Sequence, residues 1–208
     1  DNMNIFIDLF SGLGGASSEF KNKKDWKVIC IDNNPELVPL NRGLHLLDLS
    51  DTTNSIRMIE HMIHAIQNEC SNEMIDKLII WASPPCQQYS FANATRSPED
   101  FDNTLLISTL EIIDYFEPTH WIIENVKGAI EEFDDIIGAR WSQRINAMYL
   151  WGKFPLLAFQ DADVLQHHRK LNAKGSRSLR PNYRALIPKP VSEALYNALT
   201  QQTSILDW

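Results

Sequence analysis

The sequence predicts an α/β protein with a doubly wound, mostly parallel β-sheet. Short apolar runs, typical of buried parallel strands, alternate with segments of helical periodicity. Several of these runs end at a glycine or at an acidic residue, where open α/β sheets place their functional groups. The chain has 208 residues, 44% of them hydrophobic, which is enough for one well-cored domain. We therefore expect a Rossmann-like sheet with a functional cleft at the carboxyl ends of its strands.

The first predicted strand, Asn4 to Leu9, leads into a glycine-rich turn, Phe10 to Gly15. Glycines permit a tight turn, and we expect a helix to start after it, with free amides that can hold a carboxylate or phosphate. Ser17 stands where the third glycine of a dinucleotide-binding pattern would fall, so this motif alone does not identify a nucleotide site.

Two further strands are expected to end at acidic residues. Trp26 to Ile31 leads to Asp32, and Leu44 to Leu47 leads to Asp48. A carboxylate in the position of Asp32 can accept hydrogen bonds from both ribose hydroxyls of an adenosine-containing cofactor. Asp32 could equally cap a helix that Pro35 begins. Together with the glycine turn, the two acidic strand ends favour an adenosine site.

The fourth strand, Lys77 to Ala82, follows a helix predicted over residues 53 to 69 and precedes Pro84-Pro85-Cys86. The two prolines end the strand and present Cys86 on a stiff turn. A cysteine at that edge can act as a nucleophile when its thiolate is stabilised. The competing interpretation is a small buried hydrophobic residue.

A polar stretch, Gln87 to Asn103, follows Cys86 and is long enough for a mobile active-site lid. After a helix over Leu105 to Tyr115, the fifth strand, His120 to Ile123, ends at Glu124. If the first, fourth and fifth strands are neighbours, the glycine turn, Cys86 and Glu124 share one crevice. Burial there would raise the pKa of Glu124 and suit it to donate a proton, although capping of the next helix is an alternative.

The rest of the chain is predicted to form a helix over residues 126 to 137, a sixth strand from Asn146 to Trp151 and a final helix from Val191. The net charge of −8 argues against a general nucleic-acid binder, because phosphate contacts need cations. Residues 164 to 190 nevertheless hold no acidic residue. This basic segment could bind a polyanion or form a solvated loop. Its cations are Arg169, Lys170, Lys174, Arg177, Arg180, Arg184 and Lys189.

Composition excludes several other classes of protein. Three cysteines without paired spacing indicate neither a disulfide framework nor a zinc site, and the adjacent His167 and His168 do not suit a shared metal ion. No apolar run approaches the length of a membrane helix, and no secretory signal precedes the first strand. We expect a soluble cytoplasmic protein without a bound metal.

Together these motifs resemble the cytosine-C5 DNA methyltransferase family, from about Asn4 to Leu199. The resemblance implies the class I S-adenosylmethionine-dependent methyltransferase fold. It implies a cofactor-binding catalytic domain over residues 1–152, a short basic segment over 153–190 in place of a target-recognition domain, and a C-terminal helix over 191–208 that packs back. The matching residues are Asp8 to Gly15 for the first motif, Asp32 and Asp48 for the second and third, Pro84 to Gln87 for the fourth and Glu124 to Val126 for the sixth.

The resemblance also implies a mechanism. Cys86 would add to carbon 6 of a flipped-out cytosine, Glu124 would hydrogen-bond or protonate ring nitrogen 3, and carbon 5 would take the methyl group. Asp32 would bind the ribose of the cofactor and Asp48 the adenine amino group. The implied cofactor-binding residues are Asp8, Phe10, Ser11, Gly12, Gly14, Gly15, Asp32, Asp48 and Pro84. The implied substrate-binding residues are Gln87, Ser90, Arg96, Asn125, Gln143, Arg144, Arg169, Lys170 and Arg177.

The sequence departs from the family pattern in two places. The eighth motif keeps Gln143 but has Ile145 and Ala147 in place of arginines, so either Arg140 or Arg144 substitutes or the contacts to the cytosine carbonyl differ. The final motif lacks its usual Gly-Asn-Ser, and little protein remains to read DNA, which favours a short target sequence or a partner protein that supplies recognition. A phage or restriction-modification source would suit such a compact enzyme. An RNA substrate and a non-catalytic binding module are the alternatives.

Overall fold

A computed structural model describes residues 2–70, 74–95, 97–159 and 178–201. Its centre is a seven-stranded sheet flanked by helices on both faces. The strands are β1 (Met3–Leu9), β2 (Trp26–Asp32), β3 (Leu44–Leu46), β4 (Ile75–Ala82), β5 (His120–Val126), β6 (Gln143–Ile145) and β7 (Met148–Lys153). The α-helices are α1 (Thr52–Glu69), α2 (Thr104–Phe116), α3 (Ile130–Ile137), α4 (Arg180–Arg184) and α5 (Lys189–Gln201).

The sheet has the strand order β3-β2-β1-β4-β5-β7-β6. The pairs among β1 to β5 are parallel, whereas β7 runs antiparallel to both β5 and β6. The prediction of a doubly wound, mostly parallel sheet with the first, fourth and fifth strands adjacent is therefore confirmed. The carboxyl ends of β1, β4 and β5 meet at one edge, which brings the motifs that follow these strands together.

The strand predicted from Asn146 to Trp151 is present as β7, which begins two residues later, but β6 was missed, and the two strands form a hairpin. β6 and β7 are joined at Asn146 and Ala147, and Asn146 adopts a left-handed conformation with φ +54°. Asparagine tolerates this conformation better than most residues, which permits the reversal.

The helix predicted directly after the glycine turn was also wrong. The chain forms turns and a single 3₁₀ helix, Phe20–Asn22, in its place. Ser192 of α5 donates a hydrogen bond from Oγ to the carbonyl oxygen of Ala16 and accepts one from the backbone N–H of Glu19. Because a distant side chain satisfies these backbone groups, the segment needs no helix to pair them.

Two apolar clusters cover the two faces of the sheet. One joins β1 to α1, α2 and α3 through residues such as Ile7, Ile59 and Phe133. The other buries Phe6 and Trp81 beneath α5, whose Val191, Leu195 and Leu199 are almost fully buried; burying one such side chain contributes about 1.5–3 kcal/mol. Among the described helices, none combines the length and apolar character needed to cross a membrane.

Candidate active site

A pocket of about 350 Å³ opens at the carboxyl ends of β1, β2, β4 and β5. It contains both predicted catalytic residues and every predicted cofactor-binding residue except Gly14. The residues predicted to react with the substrate and those predicted to bind the cofactor therefore line the same cavity. The predicted residues that line it are Asp8, Phe10, Ser11, Gly12, Gly15, Asp32, Asp48, Pro84, Cys86, Gln87 and Glu124.

The glycine turn holds the carboxylate of Asp32 in place. The backbone N–H of Gly12 donates to Oδ2 of Asp32 at 2.9 Å, and that of Asn34 donates to Oδ1 at 3.0 Å. Phe10 and Gly12 adopt left-handed conformations with φ +56° and +52°, which bends the chain sharply enough to reach Asp32. The turn therefore fixes the β2 carboxylate at the pocket wall.

Gly14 lies outside the pocket lining. A Cβ atom at this position would lie 2.8 Å from Nζ of Lys21 and 2.9 Å from Oδ1 of Asn41. Asn41 in turn donates a hydrogen bond from Nδ2 to Oγ of Ser11, at 3.2 Å. Gly14 thus leaves space for the side chains of Lys21 and Asn41, and Asn41 is hydrogen-bonded to Ser11 of the glycine turn.

Asp8 is a buried acid in the pocket wall, with 2% of its surface exposed. Its carboxylate accepts a hydrogen bond from Oγ of Ser17 at 2.6 Å. Burial raises the pKa of Asp8 to about 7, because desolvation of the charged form outweighs the opposing effects of Ser17 and Lys21. Near neutral pH, the protonated and ionised forms are therefore both populated.

Asp48 is the opposite case, an exposed acid at the rim. Its Oδ1 accepts hydrogen bonds from the backbone N–H and the hydroxyl of Ser50, at 3.0 and 2.8 Å. These bonds lower the pKa of Asp48, since they stabilise the charged form. Asp48 therefore offers a permanent negative charge to the pocket.

Cys86 lies on the turn that follows β4 and is half-buried. Its carbonyl oxygen accepts hydrogen bonds from the backbone N–H groups of Tyr89 and Ser90, which closes the turn. Burial raises the pKa of the Cys86 thiol, and the nearby charge of Glu124 raises it further. The positive charge that would favour a thiolate is absent from the described lining of the pocket, which contains no Lys or Arg.

Glu124 follows the buried Ile122 and Ile123 of β5 and lines the pocket together with Cys86. Burial raises its pKa to about 7, and a hydrogen bond with Ser83 opposes that shift. Oγ of Ser83 accepts a hydrogen bond from Nε1 of Trp81 at 2.9 Å, which leaves its own proton for the carboxylate. Sequence reasoning missed this Trp81–Ser83–Glu124 chain, although Trp81 and Ser83 adjoin the Pro-Pro-Cys motif.

Asn125 of β5 lies beside the turn that carries Cys86 and is 1% exposed. Its Nδ2 donates to the carbonyl oxygen of Pro84 at 3.0 Å, and its Oδ1 accepts from the backbone N–H of Val126. Both ends of the carboxamide are thus occupied. Through its hydrogen bond to Pro84, Asn125 therefore connects the turn that carries Cys86 to β5.

The described part of the predicted lid is anchored at its base. The side chain of Gln88 donates to the carbonyl oxygen of Asp102 at 2.6 Å and accepts from its backbone N–H at 2.8 Å. The ring of Tyr89 packs against Phe101 and Phe133, and its hydroxyl donates to Oδ1 of Asn103 at 2.7 Å. Within the loop, Oγ of Ser90 accepts from the backbone N–H of Ala92 and does not line the pocket.

Two further predicted substrate-binding residues, Gln143 and Arg144, do not line the pocket. The carboxamide of Gln143 pairs with the backbone N–H and carbonyl of Leu157. Arg144 is exposed, donates from Nε to the carbonyl oxygen of Asn146 at 2.7 Å and lies 5.6 Å from the ring centroid of Tyr149. Four further predicted residues lie outside the described residues: Arg96, Arg169, Lys170 and Arg177.

A part of the pocket that sequence reasoning missed comes from the end of the basic segment. We call residues 181–187 the strap; Pro181, Asn182, Ala185, Leu186 and Ile187 of the strap line the pocket. The strap crosses the glycine turn so closely that a Cβ atom on Gly15 would overlap the backbone of Ile187. No local pattern could have shown this, because the contact joins residues far apart in the chain. Among the described residues, no cluster of His, Cys, Asp and Glu suits a metal ion.

Comparison with known proteins supports the interpretation of the motifs. The family model described as C-5 cytosine-specific DNA methylase matches residues 5–169. The type II methyltransferase M.DdeI of Desulfomicrobium norvegicum is 26% identical to the chain, over 98% of the chain and 48% of that protein. The type II methyltransferase M.NlaIV of Neisseria lactamica is 24% identical, over 85% of the chain and 42% of that protein. The chain thus spans about half the length of these relatives.

Two further proteins match a smaller part of the chain. Mouse DNA (cytosine-5)-methyltransferase 1 is 26% identical over 60% of the chain and 8% of its own length. The solved structure of the Entamoeba histolytica methyltransferase EhMeth matches with a TM-score of 0.51 at 18% identity, covering 77% of this chain and 56% of that one. At this identity the structural match shows a shared fold.

Proposed function

The chain belongs to the C-5 cytosine-specific DNA methylase family, and on that basis we propose that it transfers a methyl group from S-adenosylmethionine to carbon 5 of cytosine in DNA. One observation carries this proposal. The thiol of Cys86 and the carboxyl group of Glu124 line the same cavity as the glycine turn, Asp32 and Asp48. A nucleophile, a proton donor and groups suited to an adenosine cofactor are therefore available to one reaction.

The pocket fits the proposed cofactor in size and chemistry. Its volume of about 350 Å³ lies in the range of small-molecule sites. The acidic residues suit the ammonium and sulfonium charges, and Leu47 and Leu49 give an apolar wall for the adenine. Asp32, held from one side by the backbone, keeps lone pairs for the ribose hydroxyls. When bound, the cofactor supplies an electrophilic methyl group.

Cys86 and Glu124 then activate the cytosine. The sulfur of Cys86 forms a bond to carbon 6 while the proton of Glu124 moves to ring nitrogen 3, so that the negative charge does not accumulate on the ring. The electron density that this addition places at carbon 5 makes that carbon able to accept the methyl group. Loss of the carbon 5 proton to a base and elimination of Cys86 restore the aromatic ring, and the proton returns from nitrogen 3 to Glu124.

The electrostatics of the pocket support this division of roles. A pKa of about 7 keeps much of Glu124 protonated near neutral pH, as a proton donor requires. Protonation of Glu124 also removes the charge that raises the pKa of Cys86. The form with a proton on Glu124 and a thiolate on Cys86 is thus the reactive one, and each group favours the reactive state of the other.

The substrate is proposed to be duplex DNA with the cytosine flipped into the pocket, since the ring face is covered inside the duplex. Arg96, Arg169, Lys170 and Arg177 remain the predicted phosphate contacts. A partner protein that supplies further recognition surface stays part of the proposal, because only a short basic segment, residues 153–190, precedes the final motif.

The test is transfer of tritium from labelled S-adenosylmethionine to unmethylated duplex DNA, single-stranded DNA or RNA. We expect label in duplex DNA, lost in Cys86→Ser and retained in the matched variant Cys70→Ser, whose cysteine lies at the end of α1. DNA carrying 5-fluorocytosine should trap a covalent adduct with the wild-type protein only. Label in RNA alone would contradict the assigned substrate. Cofactor binding without transfer to any substrate would favour a non-catalytic module.

A further inference from the structure

Glu124 has a polar neighbour on one adjacent strand and an apolar neighbour on the other. Ala82 of β4 pairs with Ile123 of β5, so Ser83 follows β4 beside Glu124. On the other side Glu124 pairs with Leu150 of β7, a fully buried side chain that forms no hydrogen bonds. Ser83 and Glu124 both line the pocket. The hydroxyl of Ser83 is therefore the hydrogen-bonding group that the sheet brings next to the carboxyl group of Glu124.

Trp81 sets the direction in which the Ser83 hydroxyl donates. Nε1 of Trp81 donates to Oγ of Ser83 at 2.9 Å. An indole N–H can only donate, so it occupies one lone pair of Oγ and leaves the Ser83 proton for another acceptor. The same bond polarises the hydroxyl and makes Ser83 a stronger donor. Trp81 is held in this position by burial in the apolar cluster beneath α5, where 1% of its surface is exposed.

The reaction needs the proton of Glu124 on a particular oxygen. A protonated carboxyl group has one oxygen that carries the proton and one that only accepts hydrogen bonds. Ring nitrogen 3 of cytosine is an acceptor, so the oxygen with the proton has to face it. A hydroxyl group that donates to the other oxygen favours this arrangement, whereas a carboxyl group without such a donor can carry its proton on either oxygen.

We propose that Ser83, held by Trp81, is a positioning residue that donates a hydrogen bond to one carboxyl oxygen of Glu124 and so keeps the proton on the other oxygen, directed at the cytosine. This inference rests on the proposed function, because it takes cytosine as the substrate. It gives Trp81, which lies in the core of the sheet, an effect on catalysis that passes through Ser83.

The pKa of Glu124 provides a direct measure of this hydrogen bond. Its shift to about 7 comes from burial, which raises it, and from Ser83, which lowers it. The other titratable groups of the described pocket lining are the Cys86 thiol and the carboxyl groups of Asp8, Asp32 and Asp48. A substitution at Ser83 or Trp81 leaves all of these groups in place, so a change in the pKa of Glu124 reports on the hydrogen bond itself.

The first test is an NMR titration of the labelled carboxyl carbon of Glu124 in the cofactor-free protein. We expect a higher pKa in Ser83→Ala than in the wild-type protein and a smaller rise in Trp81→Phe, which keeps an aromatic ring and loses the N–H. The double variant should match Ser83→Ala, because Trp81 acts through Ser83. The matched control is Trp151→Phe. It removes a buried indole N–H that donates to Asp134 on the other face of the sheet, and it should leave the pKa of Glu124 unchanged.

The second test is the single-turnover rate of methyl transfer to duplex DNA. Ser83→Ala should lower this rate about tenfold, the range for one hydrogen bond to a catalytic group, and should change the Kd for DNA less than about twofold. Ser83→Thr keeps the hydroxyl and should restore both the rate and the pKa of Glu124. Trp81→Phe should lower the rate less than Ser83→Ala does, and the double variant should be no slower than Ser83→Ala.

The outcomes separate this inference from the proposed function. An unchanged pKa of Glu124 in Ser83→Ala, or additive shifts in the double variant, would overturn the hydrogen-bond chain whether or not the protein transfers methyl groups. A changed pKa with an unchanged rate would overturn the positioning role alone. Absence of methyl transfer by the wild-type protein would overturn the proposed function and the positioning role together. If Trp81→Phe does not fold, as judged by circular dichroism, Ser83→Ala and Ser83→Thr decide the role of Ser83 by the same two measurements.

Discussion

Replacing Asp8 by asparagine should remove a loss of stability that the wild-type protein undergoes as the pH rises through about 7. Asp8 is buried, and its pKa rises from 3.8 to about 7 on folding. The folded protein therefore holds this proton more tightly than the unfolded chain does. The stability that results is fully present below pH 3.8 and is lost as the pH rises through about 7. The asparagine side chain of the variant carries no charge at any of these pH values, so this loss disappears.

The size of the effect follows from the shift in pKa. A difference of about 3 pKa units corresponds to about 4 kcal/mol between the low-pH and high-pH limits, at about 1.36 kcal/mol per unit. Between pH 5 and pH 8, linkage leaves about 2–3 kcal/mol of this change. We expect the free energy of unfolding of Asp8→Asn, relative to wild type, to increase by that amount over this interval.

Urea unfolding of the cofactor-free protein at pH 5 and pH 8, followed by tryptophan fluorescence, measures the effect. Asp48→Asn is the control. The pKa of Asp48 is lowered on folding, so its contribution is lost only as the pH falls below its unfolded value and stays constant between pH 5 and pH 8. A stability difference between Asp8→Asn and wild type that is the same at both pH values would refute the argument that burial keeps Asp8 protonated.

Three further predictions concern the catalytic pair and the strap. The single-turnover rate of methyl transfer by the wild-type protein should rise with pH and level off above about 7, because protonated Glu124 is then lost as fast as Cys86 thiolate is gained. Glu124→Gln should lower this rate by about 10²–10⁴-fold and remove the break in the pH profile near pH 7. Ser83→Ala removes the hydrogen bond that lowers the pKa of Glu124, so the break should move to higher pH in the same assay, and an unchanged profile would contradict this role for Ser83. Gly15→Ala should lower the free energy of unfolding by about 1–3 kcal/mol in urea, because its methyl group overlaps the backbone of Ile187; a neutral effect would mean that the strap can move away.

Much of the catalytic end of the sheet could be predicted because its determinants are local. Apolar runs marked β1, β2, β4 and β5 within about two residues at their starts, and prolines or acids marked where the strands leave the sheet. Parallel strands end at a common edge, so the residues that follow them had to meet there. This is why the glycine turn, Cys86 and Glu124 were expected in one crevice, and why Asp32 and Asp48 were expected to form an adenosine site at the same edge of the sheet.

Other features depend on contacts between distant parts of the chain. Ser192 hydrogen-bonds the backbone after the glycine turn from 173 residues away, which explains why a segment with helical appearance forms turns. Asn182 belongs to a segment whose composition indicated only positive charge, and its place at the pocket follows from the packing of α5 on the sheet.

The sequence by itself thus determined the strands, their order along the chain and the chemical identity of the groups at their ends, because periodicity and turn chemistry act over a few residues. The tertiary structure decided that the strap, far away in the chain, lines the pocket. It also decided the protonation of Asp8 and Glu124, because a pKa depends on solvent exclusion, and solvent is excluded only when distant segments pack together.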